Sequence, residues 1–309
     1  MKLDGIHHVT CITADAPRNV RFYAGTLGLR LVKRSVNQDM PSIYHLFYAD
    51  EEGGAGSDIT FFEYPGIDKG RAGAGQIHLV RFRVASEDSL DFWEKRLAAH
   101  GFGSDRDDGR LRVEDPDGLN LELAVVDTTD EPLRAEFPEI PEEHALMGFD
   151  GVRAYTHDID RSRGLFEDTL GFAPDSERSW TVRGENRGSF FVYDPPPAQP
   201  AIEGAGSVHH VAWACPMDEH EQWRRRVAAA GQNVTPVIDR YYFKSIYFRE
   251  PSGILFEIAT LGPGFDVDEP LDKLGEAVAL PPNYQHLRAE LEMQLTPLPN
   301  PRAEALRSE

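Results

Sequence analysis

Two pairs of adjacent histidines, His7-His8 and His209-His210, stand 202 positions apart in a chain that holds only eleven histidines. Each pair opens a run that alternates like a strand, GIHHVTCIT and SVHHVAWAC. Imidazole ligates divalent metals and exchanges protons near neutral pH, so the pairs are the first candidates for chemistry. Neighbouring strand side chains point to opposite faces, and only one histidine of each pair can look into a given site. Val9 and Cys11 share a face with His7, and Val211, Trp213 and Cys215 share one with His209; Thr10 goes with His8, and Ala212 and Ala214 go with His210. The bulky apolar faces should pack on helices, while the faces of small residues leave room for a ligand. His8 and His210 are therefore expected in one cavity, with His7 and His209 behind them, orienting neighbours by hydrogen bonds or relaying protons. A third candidate is Glu257, which interrupts the apolar run GILFEIAT between Phe256 and Ile258. A carboxylate on a buried strand is costly to ionise unless a cation meets it. With His8 and His210 it makes a two-histidine, one-carboxylate set, which suits Fe(II), or Mn(II), and leaves coordination positions open on one side. The competing reading is a pair of satisfied core histidines, because two His and a Glu can be drawn from any chain of this length.

Repetition along the chain decides between these readings. A strand, a helix and three further strands are written four times. The first segment runs from His8 through an amphipathic helix expected over 17–27 to strands at RLVKRSV, IYHLFYA and DITFFEY. The second runs from IHLVRFRV through SLDFWEKRLAAHG to LRVEDPDGLNLELAVV. The third starts at FDGVRAYTHDI, and the fourth runs from SVHHVAWAC through HEQWRRRVAAAG to YFKSIYFREPSGILFEIAT. The candidate ligands thus fall at equivalent places in the first and fourth units. Leu79 and Gly151 occupy the histidine position in the second and third; Glu122 aligns with Glu257 without a histidine beside it and is expected to be a relic or a surface group. Glu63, one residue before a Tyr-Pro-Gly turn, stands near the place in the first unit that Glu257 takes in the fourth, which leaves a fourth ligand open. The division expected in chain order is two modules over 1–126, a linker over 127–144, two modules over 145–262, and a tail over 263–309 with one short helix near 284–293 and no site.

Forty per cent hydrophobic residues over 309 positions suffice for a substantial core, and the formal charge of −20 argues against nucleic-acid phosphates or an anionic membrane as partners. Two cysteines, Cys11 and Cys215, both on expected core faces, do not make a disulfide framework. No run reaches the roughly 18 apolar residues of a membrane span, and the N-terminus lacks the apolar stretch of a signal peptide. A cytoplasmic protein is expected; a homo-oligomer is possible.

The four-fold unit resembles the vicinal oxygen chelate superfamily of glyoxalases, bleomycin-resistance proteins and type I extradiol dioxygenases. More narrowly, GIHHVTCITADAPRNVRFYAGTLGLRLVKRSVNQD, IYHLFYADEEGGAGSDITFF, HHVAWA and DRYYFKSIYFREPSGILFEIAT resemble the hydroquinone-type ring-cleaving dioxygenases over residues 4 to about 265. The resemblance implies an α+β fold of four βαβββ modules in two domains with half-open β-barrels. It implies iron held by His8, His210 and Glu257, a small aromatic substrate such as a hydroquinone or catechol, and O2 as co-substrate. A family tyrosine beside the iron falls on Tyr247, which strand parity also places on the Glu257 side, and a family arginine near the pocket falls on Arg240. Two other functions stay open: a glyoxalase-type isomerase or thiol-adduct enzyme whose fourth ligand is Glu63, and a non-catalytic binder of aromatic compounds.

Overall fold

In the computed structural model, which describes residues 1–307, the four segments become four βαβββ modules. The first comprises β1 (Ile6–Thr13), α1 (Ala16–Val20), β2 (Arg30–Asn37), β3 (Met40–Ala49) and β4 (Asp58–Glu63). The second comprises β5 (Ile77–Val84), α2 (Glu87–Ala99), β6 (Ser104–Asp107), β7 (Arg110–Glu114) and β8 (Asn120–Val125). The third comprises β9 (Phe149–Tyr155), α3 (Asp160–Gly164), β10 (Ala173–Pro174), β11 (Ser179–Arg183) and β12 (Gly188–Asp194). The fourth comprises β13 (Val208–Cys215), α4 (His220–Ala229), β14 (Ile238–Asp239), β15 (Phe243–Arg249) and β16 (Leu255–Pro263).

The helix expected over 17–27 starts where its caps dictate, with the Asp15 side chain accepting from Arg18 N and Pro17 in the first turn. Its second half, Arg21–Thr26, is wound as a π-helix. The wider turn accounts for the burial of Phe22, Tyr23, Ala24, Gly25 and Thr26 in succession, which one stripe of an α-helix could not achieve. The third module repeats the device, with a π stretch Leu165–Leu170 after α3 and a left-handed Gly171 at φ 74° as its cap.

Two eight-stranded sheets result, ordered β14-β15-β16-β13-β1-β4-β3-β2 and β10-β11-β12-β9-β5-β8-β7-β6. Each sheet draws one module from each half of the chain, first with fourth and second with third. The segment 127–144 therefore separates modules along the chain and does not separate the sheets. It is also packed: Asp130 takes Arg83 at 2.7 Å and Arg183 at 2.5 Å, and Phe137 and Ile140 are buried.

In the first sheet β1 and β13 run antiparallel at the seam, pairing His8 with Ala212 and Thr10 with His210. The outward faces divide as parity requires. Val9, Cys11, Val211, Trp213 and Cys215 join the main core, and both cysteines are free thiols. Ala212 instead joins a second cluster with Phe47, Tyr242, Phe243 and Phe265. That last residue belongs to the tail, which is strapped to the first module: fully buried Lys33 donates to Asp268 at 2.8 Å, to Glu269 and to the Phe265 carbonyl at 3.0 Å. Where one tail helix was expected, a 3-10 segment Pro282–Leu287 leads into α5 (Arg288–Gln294), and α6 (Pro301–Ala305) follows. Among the described residues no helix is long and apolar enough to cross a membrane.

Candidate metal centre

The seam pairing brings three side chains to one point. Parallel pairing of β13 with β16 sets Glu257 opposite Ala212, two residues beyond His210 and on the same face. Glu257 Oε2 lies 2.9 Å from His210 Nε2 and 3.3 Å from His8 Nε2, and the two nitrogens are 3.3 Å apart. All three residues are buried, and one ligand atom from each falls within 4.8 Å of the others.

The partners behind the rings fix which nitrogen faces the centre. His7 Nε2 stands 3.1 Å from the Thr260 carbonyl, which can only accept, so this nitrogen carries the proton. Burial, and then the proximity of His8, push His7 down to about 3, so its Nδ1 keeps a lone pair. That atom accepts from His8 Nδ1–H at 2.9 Å, which leaves Nε2 as the His8 nitrogen that faces the centre. His209 and His210 meet in the same way, Nδ1 to Nδ1 at 2.7 Å. Burial drives His210 down to about 4, so at neutral pH its ring has a lone pair to give.

Glu257 is tied on one side only. Its Oε1 accepts from Ser245 Oγ at 2.5 Å, while Oε2 is sealed from solvent without a hydrogen bond. Burial alone would push this carboxyl up; the two imidazoles outweigh it and hold the group well below the usual carboxylate range. Two imidazole nitrogens and an unbonded carboxylate oxygen converging on one point are a donor set that fits a divalent ion.

The remaining candidates lie around this point. Tyr247 on β15 pairs with Glu257 and sets its ring edge-on to His210, 5.6 Å between centroids; burial and then Glu257 raise its phenol well above the ordinary value. Arg240 does not reach the three residues. It forms a fork with Asp39 at 2.9 and 3.3 Å, and its guanidinium lies 5.6 Å from the Tyr247 ring centre. Together with Gln38, whose amide donates to the Arg240 carbonyl at 2.8 Å, it joins the β2–β3 hairpin tip to the fourth module at the rim. The cavity, about 410 Å³ including its open mouth, is walled by Phe47, Phe62, Tyr242 and Phe243 besides these residues.

Two expectations change. Glu63 is no part of the cluster: its carboxylate accepts from Ala16 N at 2.9 Å and closes the start of α1. Strand register explains the difference, because Thr60, opposite Thr10, holds the place that Glu257 holds opposite Ala212, and Glu63 lies three residues further on, opposite Thr13. Glu122 is not a surface group either. It is fully buried and receives Arg81 Nε at 2.5 Å and Arg112 Nε at 2.7 Å.

Sequence reasoning passed over Ser245 and His45. His45 on β3 alternates with the core residues Tyr44 and Leu46 and shares a face with Phe47, a period-two pattern that pointed to the cavity. Ser245 offered no signal, since its role exists only through the β15–β16 register.

A family model described as the Glyoxalase/Bleomycin resistance protein/Dioxygenase superfamily matches residues 5–123 and 148–258. A Bacillus subtilis protein named “Putative ring-cleaving dioxygenase MhqA” is 39% identical over 96% of this chain and 100% of its own length. The chlorohydroquinone/hydroquinone 1,2-dioxygenase of Sphingobium indicum is 30% identical over 94% of this chain and 95% of its own. A crystal structure of a “putative dioxygenase” from Bacillus subtilis, 37% identical, superposes with a TM-score of 0.89 over 96% of this chain and 98% of that one.

Proposed function

Because the chain belongs to the Glyoxalase/Bleomycin resistance protein/Dioxygenase superfamily and is a dioxygenase of its ring-cleaving kind, we propose that it opens hydroquinone- or catechol-like rings in extradiol fashion. The metal of this reading is non-haem Fe(II), with Mn(II) as the alternative, held by His8, His210 and Glu257. The observation that carries it is the convergence of those three residues, with Thr60 and not a second carboxylate at the equivalent place in the first module. Three protein ligands would leave Fe(II) an open face for an aromatic hydroxyl and O2, whereas a four-ligand isomerase site would crowd it.

The chain's own residues supply the surroundings. His7 and His209 hold the two ligand rings in orientation and tautomer through their Nδ1 atoms. Tyr247, whose phenol keeps its proton far above neutral pH, can donate to an oxygen that gains negative charge beside His210. Arg240 and Asp39 brace the rim, and Phe47, Phe62 and Phe243 give the aromatic substrate a dry wall.

Anaerobic purification, metal analysis and then oxygen uptake with a panel of dihydroxybenzenes test the proposal. Bound iron and O2 consumption coupled to loss of the aromatic absorbance are expected. A protein that consumes no O2 with any of them and instead turns over thiol adducts would return the assignment to a glyoxalase-type isomerase.

A further inference from the structure

We infer that the tail segment 265–269, locked in place by the buried Lys33, sets the position of Tyr242 and so shapes the wall against which the aromatic substrate binds. Lys33 and Asp268 are then positioning residues for substrate affinity, although neither is among the residues that line the cavity. The inference rests on the ring-cleaving reading above, because it takes the cavity beside His8 and His210 to be the substrate's.

Tyr242 lies between β14 and β15, directly after Tyr241, whose φ of 72° is a left-handed conformation that a bulky residue adopts only under constraint. The loop does not hold Tyr242 by its own backbone preference. The tail grips it at three points. Gly264 N donates to the Tyr242 carbonyl at 2.9 Å, the Tyr242 hydroxyl donates to Asp268 Oδ2 at 3.0 Å, and the Phe265 ring packs on it with centroids 5.3 Å apart. Burial and then Asp268 push this phenol well above its ordinary value, so the hydroxyl keeps the proton it donates. Phe265 also meets the Phe47 ring at 5.2 Å, and both Phe47 and Tyr242 line the cavity with His8 and His210. One tail residue thus backs two aromatic rings of the wall.

Lys33 anchors the tail from the other side. On β2 it pairs with Phe47, is fully buried, and sets its Nζ 4.9 Å from the centre of the Tyr242 ring. A buried cation is costly unless opposite charge and acceptors meet it. The tail supplies them: Asp268 Oδ1 at 2.8 Å, the Phe265 carbonyl at 3.0 Å, and Glu269. Asp268 therefore spends one oxygen on Lys33 and the other on Tyr242, which ties the charge cluster to the cavity wall. Apolar rings alone can slide over one another, whereas charge-assisted hydrogen bonds fix direction as well as distance.

A mutant cycle on the Fe(II)-loaded protein tests this, read by anaerobic calorimetric titration with the dihydroxybenzene that the wild type cleaves and by steady-state kinetics on the same compound. Asp268→Ala should weaken binding and raise KM by about tenfold, the cost of one buried donor left without its acceptor, while kcat and iron content change by less than about twofold. In a Tyr242→Phe background, which has no hydroxyl to strand, the same change should cost less than about threefold. Asp268→Asn, which keeps an acceptor oxygen, should restore most of the affinity. Equal losses in the two backgrounds, or an Asp268→Asn protein as weak as Asp268→Ala, overturn the positioning role and leave the ring-cleaving reading intact. If Asp268→Ala does not fold, Lys33→Met in the same two backgrounds decides: a loss of about threefold with Tyr242 present and a smaller one in Tyr242→Phe are expected, and equal losses overturn the role. A wild type that loads iron yet cleaves no dihydroxybenzene overturns the ring-cleaving reading and this inference with it.

Discussion

The two sheets carry the same glutamate and compensate it in different ways. In the sheet of modules two and three, Glu122 pairs across the strands with Arg81 and Arg112, and both guanidiniums bond to it. In the sheet of modules one and four, Glu257 occupies the equivalent register, with Ala212 in place of Arg81 and Tyr247 in place of Arg112. The nitrogens within ion-pair distance of it, among the described residues, are those of His8 and His210. A guanidinium cannot give up its proton, so the Glu122 cluster is closed to any ion. An imidazole can, and the positive charge that balances Glu257 can then come from a metal. The histidine places of the second sheet confirm the closure from the other side. Leu79 is core, and at Gly151 any side chain would meet Phe190, whose ring also covers Arg81 at 4.4 Å.

The sharpest way to break this comparison is the same substitution at both carboxylates. Glu257→Gln should lower metal affinity by more than about 100-fold, since even changes behind a ligand cost roughly 10- to 100-fold, and ring cleavage should nearly disappear. Glu122→Gln should behave in the opposite sense. It leaves two guanidiniums without their partner and should cost about 3 kcal/mol of stability, while the folded fraction keeps its metal and its activity. Equal metal loss in both variants, measured by elemental analysis, would refute the division of roles between the sheets.

A smaller effect is expected at Glu63. Because it bonds Ala16 N and not the ligand cluster, Glu63→Ala should cost about 1 kcal/mol, the usual worth of a helix-start acceptor, with iron and oxygen uptake retained. Loss of iron would restore the four-ligand site.

A pH dependence is expected where Asp130 braces the second sheet. Burial would raise the Asp130 carboxyl, but hydrogen bonds from Arg183 and Arg83 outweigh it and lower the group from 3.8 to about 2. A carboxyl lowered on folding stabilises the native state above its unfolded pKa, and that contribution is lost as pH falls from about 3.8 towards 2. Asp130→Asn should lower stability near neutrality and flatten its fall in that window, so that the variant and wild-type curves converge towards pH 2, as urea midpoints from neutral to acid pH would show.

Much of this architecture was legible from residue order. The alternation Val9/Cys11 against His8/Thr10, and Trp213 against His210/Ala212, separates a core face from an open one, because side-chain direction along a strand is a local property. The four-fold repeat locates the modules for the same reason: each helix and turn is written in contiguous residues, as in the Asp115 and Glu250 turns, whose carboxylates accept the N–H groups two and four positions on. What one strand meets on another is a different matter. Whether Glu63 or Thr60 faces Thr10, whether Glu122 finds two arginines or a histidine, and whether Ser245 reaches Glu257 depend on registers between strands, and a slip of one residue exchanges every partner. The sequence by itself determined which residue types were available and which face of each strand they occupied. Only the tertiary structure decided that β1 pairs with β13 and so joined His8 to His210 across 202 positions, because that contact is stabilised by long-range packing that no local pattern records.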